Sequence, residues 1–302
     1  MAGNRIDSAG MKRVVFRDMP LRVDRSAGLA RIARRVLLGL FIAQWMLVCA
    51  RVCLARPPFG EANWPEGLLL VLAAAATFAG MGRELPLQNV FLSGFIITLL
   101  SGAVVSLGAV TGVPFGPLAF GKSFGQQFFY PLPWAALFVW MVVLLNARGV
   151  ARLLLRAHRA APGYGLWLMG GTALLAVAFD LGLEPFATRV KHYWIWQLSK
   201  TALTWYGAPW VNFFAWGVAA LLILAFATPS LNNKKPGPRP PDYQPLALWL
   251  LMNGLFVASA VANRFWAAAV VVSVQCLGVA LLALLSALHQ RRQFAPAISG
   301  RS

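Results

Sequence analysis

Residues 164–186 read YGLWLMGGTALLAVAFDLGLEPF, a run whose only charged side chains are Asp180 and Glu184. As an α-helix it would cover roughly 34 Å, enough to cross a hydrocarbon core of about 30 Å. Comparable apolar runs occupy 36–54, 66–82, 88–112, 128–147, 207–228, 245–264 and 266–288. The second is short and the last two are separated only by Asn263-Arg264, so the count is seven or eight spans. The expected fold is therefore all-α, a polytopic transmembrane helical bundle with no spacer long enough for a soluble domain. Breakers lie between the runs: Pro57-Pro58, Pro86, Pro114, Pro117, Pro162-Gly163 and Lys234-Lys235-Pro236-Gly237-Pro238.

Composition agrees with that reading. Of 302 residues, 59% are hydrophobic and 12% charged, and the mean hydropathy is +0.66. A soluble domain carries about 25% charged residues, so an ordinary cytosolic enzyme, a disordered chain and a fibrous protein are excluded. Three cysteines (Cys49, Cys53, Cys276) lie in apolar runs, with no His or acid beside them at metal-ligand spacing, and read as packing residues.

The 27 Lys and Arg outnumber nine acids, for a net charge of +18. Such an excess suggests nucleic acid or an anionic membrane face. Sorting the cations by loop decides between them. Residues 1–35 form a polar basic arm, too long and too charged for a cleavable signal, with an interfacial helix expected around 21–35. With that arm inside, the inner loops hold twenty cations and the outer loops six. The excess thus marks topology, with both termini cytoplasmic, and no nucleic-acid partner is expected. The expected organisation is an arm at 1–35, a membrane domain at 36–289 and a cytoplasmic tail at 290–302.

An ionisable residue inside a span is costly enough to be read as functional. Asp7, Asp18 and Asp24 belong to the arm, Asp242 to a linker, and Glu84 to a tight turn beside Arg83. Glu61 and Glu66 flank the second span and read as solvated or interfacial. Asp180 and Glu184 remain, four residues apart and so on one helix face. Two carboxyls close together in low dielectric do not both ionise readily, which leaves a proton available for acid catalysis. The competing reading pairs each with Arg189, Lys191 or Lys200 as a helix tie. Pro185 frees a backbone carbonyl and suits a cavity wall.

Two further features fall at the same end of the bundle. One is aromatic: Trp194 and Trp196 beside His192, then Tyr206-Gly207-Ala208-Pro209-Trp210-Val211-Asn212, with Trp216 a turn later. An interfacial belt accounts for aromatics, but not for Asn212 at the start of a span, where an amide needs a partner. His192 beside Lys191 reads as solvated. The other is Thr111-Gly112-Val113-Pro114-Phe115-Gly116, which lacks a phosphate-loop context and reads as a tight turn against a neighbouring helix.

These motifs, in this order over residues 90–225, resemble the CruF-type carotenoid biosynthesis membrane proteins, the carotenoid 1,2-hydratases, including the bisanhydrobacterioruberin hydratases. The resemblance rests on Thr111 to Gly116, Asp180-x-x-x-Glu184-Pro185, Trp194-Ile195-Trp196, and Tyr206-Gly207-Ala208-Pro209-x-x-Asn212-x-x-x-Trp216. It implies a prokaryotic cell-membrane enzyme that hydrates the terminal double bond of an acyclic carotenoid without a cofactor. Asp180, Glu184 and Asn212 would then be catalytic. Trp194, Trp196, Tyr206, Trp216, Thr111 and Phe115 would hold the polyene, and other carotenoid-pathway enzymes would be partners. The family pattern carries a Glu where this chain has Ser106, and tyrosines where it has Leu118 and Phe120. A cyclase sharing the protonation step, a polyene or lipid binder and a proton-coupled carrier remain open as alternatives.

Overall fold

The computed structural model describes residues 25–54, 58–59, 62–198, 203–232 and 240–294. The arm up to residue 24, Arg56, Pro57, Glu61, Lys200, the Lys234–Pro238 stretch and the tail from 295 lie outside the described residues. Eight helices follow in order: α1 (Arg25–Cys53), α2 (Trp64–Met81), α3 (Leu87–Thr111), α4 (Trp134–Leu154), α5 (Tyr164–Pro185), α6 (Trp210–Leu231), α7 (Gln244–Ala262) and α8 (Trp266–Phe294). Among the described residues all eight are long and apolar enough to cross a membrane, in agreement with the higher of the two expected counts.

The boundaries differ from expectation in three places. The helix expected at the interface around 21–35 is continuous with the first span, and its membrane-length portion already begins at Gly28. The fourth and sixth spans start later than expected, at Trp134 and Trp210. Pro133 and Pro209 stand just before them in extended conformation. Proline lacks the N–H an interior position needs, yet fits a helix start, so each helix begins immediately after its proline. α4 then runs on to Leu154, which puts Arg148 and Arg152 on the helix rather than in a loop.

Six short strands among the described residues lie between the helices, and residues displaced from those helix starts contribute to β2, β3 and β6. β1 (Leu118–Phe120) pairs antiparallel with β4 (Trp194–Trp196), β2 (Gln127–Phe129) with β3 (Leu132–Pro133), and β5 (Thr204–Trp205) with β6 (Ala208–Pro209). The β1–β4 ribbon ties the segment after α3 to the segment after α5.

α4 is the central helix, packing against α2, α3, α5, α7 and α8. In its most apolar window 67% of residues are buried, against 22% for α1 at the periphery. Outward faces are apolar too. Phe91, Phe95 and Leu99, four residues apart on α3, are all exposed, as a helix facing lipid requires.

Candidate active site

The site grows from the C-terminal end of α5. Pro185 has no N–H to give to the carbonyl four residues back, and that carbonyl, Leu181 O, accepts instead from the Trp205 indole at 2.9 Å. Beyond Pro185 the chain widens into one π-helical turn, Phe186–Val190. Here the Thr188 hydroxyl donates to Glu184 O at 2.6 Å. The helix end is thus satisfied by side chains from its own last turn and from β5.

Asp180 and Glu184 are both buried on the inner face of this helix, 0% and 1% exposed. Asn212, in the first turn of α6, bridges them. Its Nδ2 donates to Asp180 Oδ2 at 2.8 Å and to Glu184 Oε1 at 3.0 Å. The amide that had no account in an aromatic belt is therefore the clasp between the carboxyls. Glu184 Oε2 accepts two more donors, the indole N–H groups of Trp194 and Trp196, each at 3.1 Å. Strand geometry explains the pair: alternate residues share a face, so both indoles turn inward while Ile195 between them is exposed. Asp180 Oδ1 is buried with no hydrogen-bond partner.

Neither carboxyl is paired with a cation among the described residues. Arg189 Nε donates to Tyr206 O at 2.8 Å, and Lys191 Nζ pairs with Glu66. The helix-tie reading therefore fails for these two cations.

Glu184 and Asn212 open onto a cavity whose remaining walls are mostly apolar, with Phe115, Trp140, Trp194, Trp196 and Trp216 among them. Trp216 stacks on Trp140, with ring centroids 4.0 Å apart and planes 13° from parallel. Leu118 and Phe120 also line it. Asp180 is not part of the lining and lies behind Asn212, to which it is hydrogen-bonded. A second, larger cavity adjoins, with Phe124 and Val139 in the walls of both. Tyr193 lines this second space, and burial pushes its phenol well above its usual pKa, so it stays neutral.

Two expected substrate contacts are not brought there. Tyr206 sits at φ +50° in the β5–β6 turn and packs on Phe265 at the start of α8. Its hydroxyl accepts from the Ala268 N–H. Thr111 is exposed and spends its hydroxyl on its own turn, donating to Leu107 O and accepting from the Val113 N–H. That turn acts through its backbone: Gly112 caps α3 at φ +75°, a conformation that favours glycine, and Phe115 swings into the cavity wall. His192 shares a hydrogen bond with Thr188 O at 3.0 Å and shapes the loop.

Sequence reasoning missed two features. Trp140 lies mid-span, where no motif marks it. Glu66, expected at the interface, is buried between Arg51 (Nε to Oε1, 3.3 Å) and Lys191. Arg51 also donates to the carbonyls of Pro58 and Ala62. One carboxylate from α2 and two cations, from α1 and the end of the α5 segment, thus meet where α2 enters the bundle, with one positive charge in excess.

The fold and site define a polytopic helical membrane protein with a buried carboxyl pair at one end and an aromatic cavity over it. Residues 66–283 match the family model described as carotenoid biosynthesis protein, and the chain belongs to that family. The bisanhydrobacterioruberin hydratase of Haloarcula japonica is 29% identical over 133 residues, 43% of this chain and 43% of its own length. No solved structure matches.

Proposed function

We propose that this protein hydrates the terminal double bond of an acyclic carotenoid, with Glu184 as the proton donor. The observation that carries the reading is the set of donors around Glu184: Asn212, Trp194 and Trp196 present three N–H groups to the carboxyl that faces the cavity. Those dipoles gain most when negative charge develops, as the proton leaves for the alkene. The π electrons form the new C–H bond and leave a tertiary carbocation. The faces of Trp216 and Trp140 stabilise it. The oxygen of a water molecule then forms the C–O bond, and its released proton returns to the Glu184 carboxylate. Nothing is oxidised or reduced, so the cycle needs no cofactor. Asp180 is a positioning residue that holds Asn212 in place.

The adjoining cavity extends the apolar space toward α2 and α7 and suits the polyene behind the reacting end group. The family match and the named relative favour this substrate class over a carrier.

Expression in a lycopene-producing host tests the reading. The expected pigment is heavier by one water for each modified end. An isomer of unchanged mass would identify a cyclase, and unmodified pigment that co-purifies with the protein would identify a binder. Trp196→Phe keeps the aromatic wall but removes one donor from Glu184. A hydrogen bond to a charged group is worth about 1.5–3 kcal/mol, so turnover should fall roughly tenfold to a hundredfold at unchanged protein level. An unchanged rate would show that the indole donor does not serve the reaction.

A further inference from the structure

We propose that the cavity at the opposite end of the bundle is a binding site for the phosphate headgroup of an anionic, hydroxyl-bearing membrane lipid. It lies between the ends of α2, α4 and α6 and the start of α7. Four arginines line it: Arg148 and Arg152 on α4, and Arg156 and Arg159 just after it. Its two carboxylates are already engaged. Glu84 pairs with Arg152 at 2.6 Å, and Asp242 with Arg83 at 3.3 Å and Arg34 at 3.6 Å.

Arg148 carries the argument. It is only 6% exposed, and its guanidinium donates to the neutral Asn232 Oδ1 at 3.1 Å. No carboxylate among the described residues lies within ion-pair distance of it. Glu84 reaches Arg148 only from beyond contact distance; a guanidinium taken out of water with no carboxylate in direct contact is costly, and its planar fork matches a phosphate.

A second, independent observation narrows the headgroup. Asn146 Oδ1 and Gln244 Oε1 are buried without a hydrogen-bond donor, and both residues line the same cavity. Two orphan acceptors beside an anion site call for hydroxyl groups on the ligand, as a glycerol headgroup supplies. Met81, Leu145, Leu153 and Leu248 form an apolar wall suited to the start of an acyl chain. This site is separate from Glu184 and does not depend on the reaction proposed there.

Native mass spectrometry of the full chain in a neutral detergent is the test, with phosphatidylglycerol, phosphatidylcholine of the same chains and inorganic phosphate as probes. Phosphatidylglycerol should be retained in preference to phosphatidylcholine. Each removed arginine should cost about fivefold in that preference. Arg148→Gln is the direct variant. The double variant Arg156→Gln/Arg159→Gln acts from the rim and keeps the test valid if the buried substitution fails to fold. Equal retention of the two lipids, or a preference unchanged in a folded variant, would overturn the proposal. Displacement of the lipid by millimolar inorganic phosphate would overturn the lipid assignment in favour of free phosphate.

Discussion

Glu184→Gln should lower the yield of hydrated carotenoid by about a thousandfold, the scale of a lost general acid. Glutamine has the shape of glutamate but no proton to give. It also has one acceptor oxygen where Glu184 uses two, because Oε1 takes the Asn212 N–H and Oε2 takes both indoles. The new amide nitrogen would face a donor, so some loss of stability accompanies the loss of chemistry. Glu184→Asp separates the two effects. It disturbs the same contacts by shortening the side chain, yet keeps the acid, and should retain measurable turnover where Glu184→Gln does not. Asp180→Asn is milder for the fold, since Asp180 Oδ1 has no partner to lose. Liquid chromatography of pigment from matched cultures, normalised to protein level, reads all three. Undiminished hydration by Glu184→Gln would remove Glu184 from the mechanism.

Glu66→Leu should destabilise the protein by about 3 kcal/mol or more, the usual result of removing one member of a buried ion pair. Arg51 and Glu66 have side chains only 3% and 8% exposed, and Lys191 is 17% exposed. Deleting the carboxylate leaves two cations facing each other. Arg51 keeps two backbone carbonyls and Lys191 loses its anion. The effect should appear as a lowered thermal midpoint of the purified protein in detergent. The triple variant Arg51→Met/Glu66→Leu/Lys191→Met should recover most of it, because no charge then remains to be compensated. A single variant as stable as the parent would mean that the cluster ties nothing together.

This cluster shows where reading along the chain runs out. Glu66 flanks a span, and flanking charges are usually solvated, so nothing in its neighbourhood distinguishes it. Its burial depends on Arg51, fifteen residues before it, and on Lys191, at the far end of another helix. Tyr206 is the reverse case. It sits inside a motif shared with the site, yet its position at φ +50° turns the ring toward Phe265 and away from the carboxyls. Residue type alone makes Trp194 and Trp196 candidates. Their common target emerges only when the strand pairs with Leu118–Phe120, because that pairing sets which face of the strand looks inward.

The opening run, 164–186, shows the same division within one helix. Its length and hydropathy identify a membrane-crossing helix, and the spacing of Asp180 and Glu184 puts them on one face. Both properties are local, and the 3.6-residue period delivers them without reference to the rest of the chain. What Glu184 meets is not local. Three donors reach it from α6 and β4, ten to twenty-eight residues away in sequence. The lack of a paired cation among the described residues depends on where Arg189 and Lys191 find their partners. The sequence alone determined the membrane bundle and the two candidate acids. Only the packing of α5 against α6 and the β1–β4 ribbon decided that Glu184 faces the cavity and Asp180 stands behind it, because charge and hydrogen-bond environment are set by neighbours in space.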